Sequence, residues 1–409
     1  MDNRILIKSI KISYILLAIL PLLKPNINSI IIIVCAILTL FLVIKEKRFK
    51  LPPKKYWILT SLFGLFFFHE IFSRDFNTTR ILKHLPFLIF PLLFYYRPKF
   101  INEKIKIISL KVFQYSTLLQ SLFFFIFFIS KQEINKLFFV RNGIPFFREF
   151  VSENYFFEIH PTYFSSFLLL SFTISFFILL ENKQKSKGFD FLNIVFTLFF
   201  IFIFSSRIII LTLAITIFGG AFYFIFKKKS RKYSPVLILG LAIVSFALIY
   251  PSKKIIKERF NEIKTEINKP IIGDYYNSTN TRVAIFKCSI SLIKKVPFWG
   301  YGNSLQKELN NCYKEKNDSD FYKKHIFNTH NYYFNLINYG GWLFLFIFIG
   351  YIYIIYKNIK YSILGITFLI QFLFINLTEN YFSRHYGIVL FVYLTSMFIF
   401  INTKASIND

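Results

Sequence analysis

Six charged or titratable residues interrupt the apolar stretches of this sequence or stand at their ends: His160, Arg207, Arg282, His330, Glu379 and Arg384. His330 lies in the run Asn328-Thr329-His330-Asn331-Tyr332, just before an apolar stretch. A histidine exchanges protons near neutral pH and suits a general base acting on a hydroxyl. A histidine that merely caps a helix or bonds a carbonyl leaves the same pattern, and taken alone that is the commoner use. Arg207, in Ser205-Ser206-Arg207, is wedged between two very apolar segments. A guanidinium near hydrocarbon needs a partner or a pathway role, unless it reaches back to the interface along its own stem. Arg282 follows Asn277-Ser278-Thr279-Asn280-Thr281 and opens an amphipathic stretch. Two arginines and a helix N-terminus suit a diphosphate, through bidentate hydrogen bonds and aligned N–H groups; an ordinary surface arginine is the plain alternative. In His160-Pro161-Thr162-Tyr163, Pro161 fits a first helical turn and sets His160 at its boundary. Glu379 and Arg384 share one turn, where they either pair with each other or contact a substrate. Asp274, Asp318 and Asp320 have no histidine at ligand spacing, and His325 has no partner pattern. The expectation is a site without metal or cofactor.

Apolar stretches of about 17–22 residues recur along the chain, each long enough to cross a bilayer. Of the 409 residues, 55% are hydrophobic and only 17% are charged, which suits a membrane protein better than a soluble domain of this length. The expected spans are 9–23, 28–44, 56–73, 81–96, 108–130, 161–180, 190–205, 208–226, 235–250, 336–356, 361–377 and 386–403. The fold class is therefore all-α and polytopic, with about twelve transmembrane helices. The first apolar segment lacks a small-residue cleavage site and reads as the first of these helices. Heavy use of Phe, Ile and Lys looks like an AT-rich compositional bias, so single phenylalanines carry little information.

The net charge of +29 brings nucleic acid to mind, but Lys and Arg sit mainly in short loops between spans. Loops 45–55, 97–106, 181–188 and 227–232 are basic, whereas 24–27, 73–80, 205–207 and 378–385 hold one or two basic residues each. The two sets alternate, as the positive-inside rule requires, so both termini are expected in the cytoplasm. With that topology the six residues above all fall on the outer side. The segment 251–335, between the ninth and tenth helices, is the large outer loop of a single membrane domain, 1–409. Within it, Ile256, Phe260, Ile263 and Ile267 share one helical face. A second helix is expected from Arg282 to Val296, with Phe286, Ile290 and Ile293 on one side, Thr279 or Asn280 as its cap and Pro297 as its stop. Cys288 and Cys312 lie in this loop, where a disulfide and two free thiols are both open readings.

Arg282, the turn Pro297-Phe298-Trp299-Gly300-Tyr301-Gly302 and the run His330-Asn331-x-x-Phe334 closing on Gly341 together resemble the O-antigen ligase and polymerase superfamily. Ser206-Arg207 resembles that family's first arginine, and Phe334 departs conservatively from its usual Leu. The resemblance implies a GT-C-like architecture and a glycosyltransferase of the bacterial inner membrane, with its active site facing the periplasm. It implies inverting, metal-independent transfer of a glycan from undecaprenyl diphosphate to an acceptor hydroxyl on lipid A-core, a glycan chain or a protein. His330 would activate the hydroxyl, and Arg207 and Arg282 would hold the diphosphate. His160, Tyr163, Asn331, Glu379 and Arg384 are expected to contact substrate. Ligase and polymerase are both open. A transporter or flippase of lipid-linked oligosaccharide is the reading from another class, weakened because the polar residues gather at one face rather than at mid-membrane.

Overall fold

The computed structural model describes residues 3–73, 76–141, 144–181 other than 155 and 158, 187–226, 278–316 and 326–401, with a few positions between 253 and 265. In chain order its helices are α1 (Asn3–Leu16), α2 (Pro25–Lys45), α3 (Ser61–Ile71), α4 (Thr78–His84), α5 (Pro86–Tyr95), α6 (Glu103–Lys131), α7 (Phe146–Ser152), α8 (Pro161–Glu181), α9 (Lys187–Phe204), α10 (Arg207–Phe226), α11 (Ser278–Ile293), α12 (Leu305–Lys316), α13 (Tyr332–Ile359), α14 (Ile363–Ile375) and α15 (His385–Phe400). A single short turn of helix, Lys54–Trp57, precedes α3. The described residues are helical apart from turns and a two-residue antiparallel ladder, Val140–Arg141 with Ile144–Pro145.

Five of these segments are long and apolar enough to cross a membrane: Asn3–Leu22, Pro25–Lys45, Glu103–Lys131, Pro161–Glu181 and Tyr332–Ile359. Shorter apolar helices cover Ile58–Ile71, Gly188–Phe204, Arg207–Tyr223, Ile363–Ile375 and His385–Phe400. On α2, Ile30, Ile33, Ile37 and Ile44 are exposed at helical spacing, a bare apolar stripe of the kind lipid covers. The expected span 81–96 is instead two helices, α4 and α5. Pro86 stands at the start of α5 and Pro91 lies inside it, and neither has an N–H to continue a hydrogen-bond ladder. The span expected at 235–250 lies outside the described residues, as do Ile263 and Ile267 of the first amphipathic stretch.

The chain divides into two compact units. One comprises 1–38 with 99–261, the other 39–98 with 262–409. In the first, α8 is buried almost from end to end and packs on α9. Its polar side chains are satisfied internally. Gln114 Nε2 of α6 donates to Ser175 Oγ at 2.6 Å, Ser175 donates to Asp190 Oδ1 at 3.1 Å, and Asn193 Nδ2 donates to the oxygens of Ser171 and Ser175. Such bonds tie helices together where burial of apolar area gives little selectivity.

In the second unit, α5 packs on α15, α3 on α13, and α11 on both α12 and α13. Helix α11 starts at Ser278, one turn earlier than expected, so Thr279 and Asn280 lie inside it rather than capping it. Its buried side is Thr281, Ala284, Ile285 and Cys288, while Ile290 of the expected apolar face is exposed. A disulfide between Cys288 and Cys312, with Cα atoms 5.8 Å apart, fastens α11 to α12. Closing a loop of 24 residues is worth about 3 kcal/mol in chain entropy.

Candidate functional site

The turn that carries His330 is built by its own asparagines. Asn328 Oδ1 accepts the His330 backbone N–H at 2.9 Å, and His330 takes a left-handed backbone with φ 43°. Outside glycine this region is strained, by roughly 1–3 kcal/mol, and is held only where surroundings enforce it. The enforcement comes from the turn after α14. Thr329 Oγ1 donates to Asn380 Oδ1 at 3.0 Å, Asn331 Nδ2 donates to the Leu377 carbonyl at 3.0 Å, and Tyr332 N donates to the Asn376 carbonyl at 3.0 Å. Asn331 also caps α13, its Oδ1 accepting from Phe334 N at 2.9 Å. Phe382, whose ring centroid lies 4.4 Å from that of Phe391, anchors the far end of the same turn in an aromatic core.

These links place Glu379 between two basic groups. Arg282 Nη2 donates to Glu379 Oε1 at 2.9 Å, and His330 Nδ1 lies 3.5 Å from Oε2. The second distance is an electrostatic contact rather than a direct hydrogen bond. The Glu379 side chain is only 8% exposed, whereas those of Arg282 and His330 are 29% and 28% exposed and reach solvent. With Nδ1 turned to the carboxylate, Nε2 is the ring nitrogen left to meet a ligand. Of the two readings open for Glu379, a pair with Arg384 or a substrate contact, the first gives way to a pairing with Arg282 across 97 residues of sequence.

The glycines around this cluster have a steric reason. Gly300 and Gly341 both have positive φ, and a β-carbon on Gly300 would come within 2.2 Å of the Tyr339 carbonyl oxygen. One on Gly341 would come within 2.0 Å of the Phe298 carbonyl oxygen. The 297–302 turn therefore lies flush on a break inside α13, where Tyr301 N donates to the Asn338 carbonyl at 2.8 Å. Tyr301 Oη donates to the Leu292 carbonyl, and burial with Glu308 nearby holds this hydroxyl above its usual range. It is a structural donor.

Beside the cluster lies a cavity of about 300 Å³, which Arg80, Lys83 and Arg384 line with Asn303, Asn328 and Asn380. Arg80 is held by Glu70, fully buried on α3, at 3.6 Å, and lies over the Tyr339 ring at 4.3 Å. Glu70 also accepts from Tyr339 Oη, from Asn303 Nδ2 at 3.0 Å and from Asn77 N at 3.1 Å. Sequence reasoning missed Glu70, Arg80 and Lys83. A carboxylate inside the apolar run Phe66-Phe67-Phe68-His69-Glu70-Ile71 was the available signal.

His160, Tyr163 and Arg207 belong to the first unit. His160 precedes α8 and caps it, its Nδ1 accepting from Thr162 N at 3.3 Å, with its ring edge-on to the buried Tyr163. Arg207 is the first residue of α10, after Ser205 at φ 46°. Arg148, which the sequence did not single out, lies at the same ends: it donates to Thr162 Oγ1 at 3.2 Å and to the Phe204 carbonyl at 3.4 Å.

Comparison with known proteins bears on this arrangement. Residues 192–349 match the O-antigen ligase family. The match shows the resemblance to the O-antigen ligase and polymerase superfamily. Its span contains Arg207, Arg282, the 297–302 turn, His330, Asn331 and Gly341. His160, Tyr163, Glu379 and Arg384 lie outside it, so within this O-antigen ligase-like chain Glu379 joins the family segment only through space. No curated protein matches the chain.

Proposed function

We propose that this protein transfers a glycan from undecaprenyl diphosphate to an acceptor hydroxyl at the periplasmic face of the bacterial inner membrane, with inversion and without a metal. The observation that carries the reading is the contact of one carboxylate, Glu379, with both Arg282 and His330. His330 Nε2 takes the proton of the acceptor hydroxyl as its oxygen attacks the anomeric carbon. The new C–O bond forms on the face opposite the breaking one, and the bonding pair leaves with the diphosphate. Arg282 neutralises that leaving charge, the electrostatic contribution that is often largest in such reactions. Both helices that Cys288 and Cys312 cross-link belong to the segment assigned outside the cytoplasm, where disulfides persist.

An apolar cavity of about 610 Å³, lined by Leu65, Phe68, Phe72, Trp299 and Leu343, shares Gly302 with the polar cavity. It supports a substrate with an isoprenoid tail beside a polar head. The bound donor would thus have one end in lipid-like surroundings and the other at charged side chains.

The test is complementation of a deletion strain. The parent gene restores surface glycan, and His330→Ala, present in the membrane at parental level, restores none. Glycan restored by His330→Ala removes His330 as the base. The deletion strain itself separates the two activities: loss of all polymer from lipid A marks a ligase, and a single repeat unit left on lipid A marks a polymerase.

A further inference from the structure

None of the charged residues that line the polar cavity takes part in the proton transfer or the leaving-group step given above. Arg80, Lys83 and Arg384 all line this cavity, Lys83 lies within electrostatic reach of the other two, and among the described residues no acidic one lines it. Three like charges around one small space repel one another, and an anion between them relieves that repulsion. Arg80 is fixed in place from behind by Glu70 and Tyr339, a preorganised donor rather than a mobile surface arginine.

The rest of the wall is not that of a simple phosphate site. Asn303, Asn328 and Asn380 bring amides that both donate and accept, as sugar hydroxyls require. The buried Tyr332 also lines the cavity. The volume, about 300 Å³, is at the small end of ligand pockets, that of one glycosyl unit rather than an oligosaccharide. Asn328 and Asn380 are also the residues that bond the His330 turn, so the cavity and the reacting cluster share a wall.

We propose that this cavity is a subsite for an anionic sugar, a glycosyl residue bearing a carboxylate or a phosphate, held next to His330. Its assignment to the glycan substrate rests on the transfer reading above; its preference for a sugar anion does not. Such a sugar has two sources, the donor glycan and the acceptor.

The test uses the full-length protein in detergent, titrated with glucose 6-phosphate, glucuronate, inorganic phosphate and uncharged glucose. At least one sugar anion binds roughly tenfold or more tightly than glucose and than inorganic phosphate. Lys83→Gln and Arg384→Gln each weaken that binding about tenfold. Both side chains are exposed, so these variants keep the parental melting temperature. Equal binding of glucose and glucose 6-phosphate, preference for bare phosphate, or binding unmoved in both variants overturns the proposal. In a transfer assay, a raised KM for donor or for acceptor in Lys83→Gln names the source of the sugar. A protein that binds the sugar anion but transfers no glycan sinks the transfer reading alone, and one that transfers without binding it sinks only this inference.

Discussion

Two carboxylates in the second unit have opposite circumstances. Glu70 is fully buried and both its oxygens are engaged, by Tyr339, Asn303, Asn77 and Arg80. Glu379 is also mostly buried, yet its partners Arg282 and His330 remain open to solvent and the histidine contact is loose at 3.5 Å. The first group is a joint: it fastens α3, the start of α4, the 302–304 turn and the broken helix α13 to one another. The second is a group whose partners can still exchange one neighbour for another. The two differ in the partners around them, a tyrosine and an asparagine against a histidine, and on the proposed reading that difference separates the carboxylate that holds the fold from the one that serves the reaction.

The largest effect that tests this contrast is on stability. Glu70→Ala leaves Arg80 and the Tyr339 hydroxyl without their buried partner, a loss of about 3–5 kcal/mol. Thermal unfolding in detergent reads it as a steep fall in melting temperature, and an unchanged melt would show that Glu70 is no joint. Glu379→Gln comes next. The amide keeps shape and some hydrogen bonding but cannot stabilise an imidazolium, so glycan transfer falls by roughly 100-fold or more while the melt stays near parental. A Glu379→Gln protein that unfolds early but transfers normally when folded would make the two carboxylates alike. Asn331→Ala is the smallest. It removes the α13 cap and the tether to Leu377, costing about 1 kcal/mol in stability, and it lowers transfer a few-fold by loosening the turn that presents His330. Transfer unchanged at reduced stability would place the tether outside the site's geometry.

Part of this was legible in the sequence, because Arg282, the glycine turn and His330 with Asn331 together resemble one family's pattern. The polytopic, helical character followed from the length of the apolar runs. What escaped is non-local. Nothing in the spacing of Glu379 says that it meets Arg282, since 97 residues intervene and Arg384 lies closer along the chain. Glu70, Arg80 and Lys83 lie far upstream of the family segment, where Glu70 and Lys83 fall inside expected spans and Arg80 in the short loop between them. Helix α11 was legible only in part: Phe286 of the expected apolar side meets Phe334 edge-on, but small residues, Ala284 and Cys288, pack inward while Ile290 is exposed. Prolines gave a clearer signal than was used: Pro86 and Pro91 mark where 81–96 ceases to be one helix.

The back-to-back glycines have a consequence for anyone exchanging parts between relatives. Gly300 and Gly341 each leave room for the other strand's carbonyl, at 2.0–2.2 Å from where a β-carbon would stand. The two strands are thus a lock and its keeper rather than two independent parts. A chimera that imports a foreign segment here must carry residues 297–302 and 338–341 as one cassette. A graft that cuts between them sets an unfamiliar backbone against a surface shaped for another.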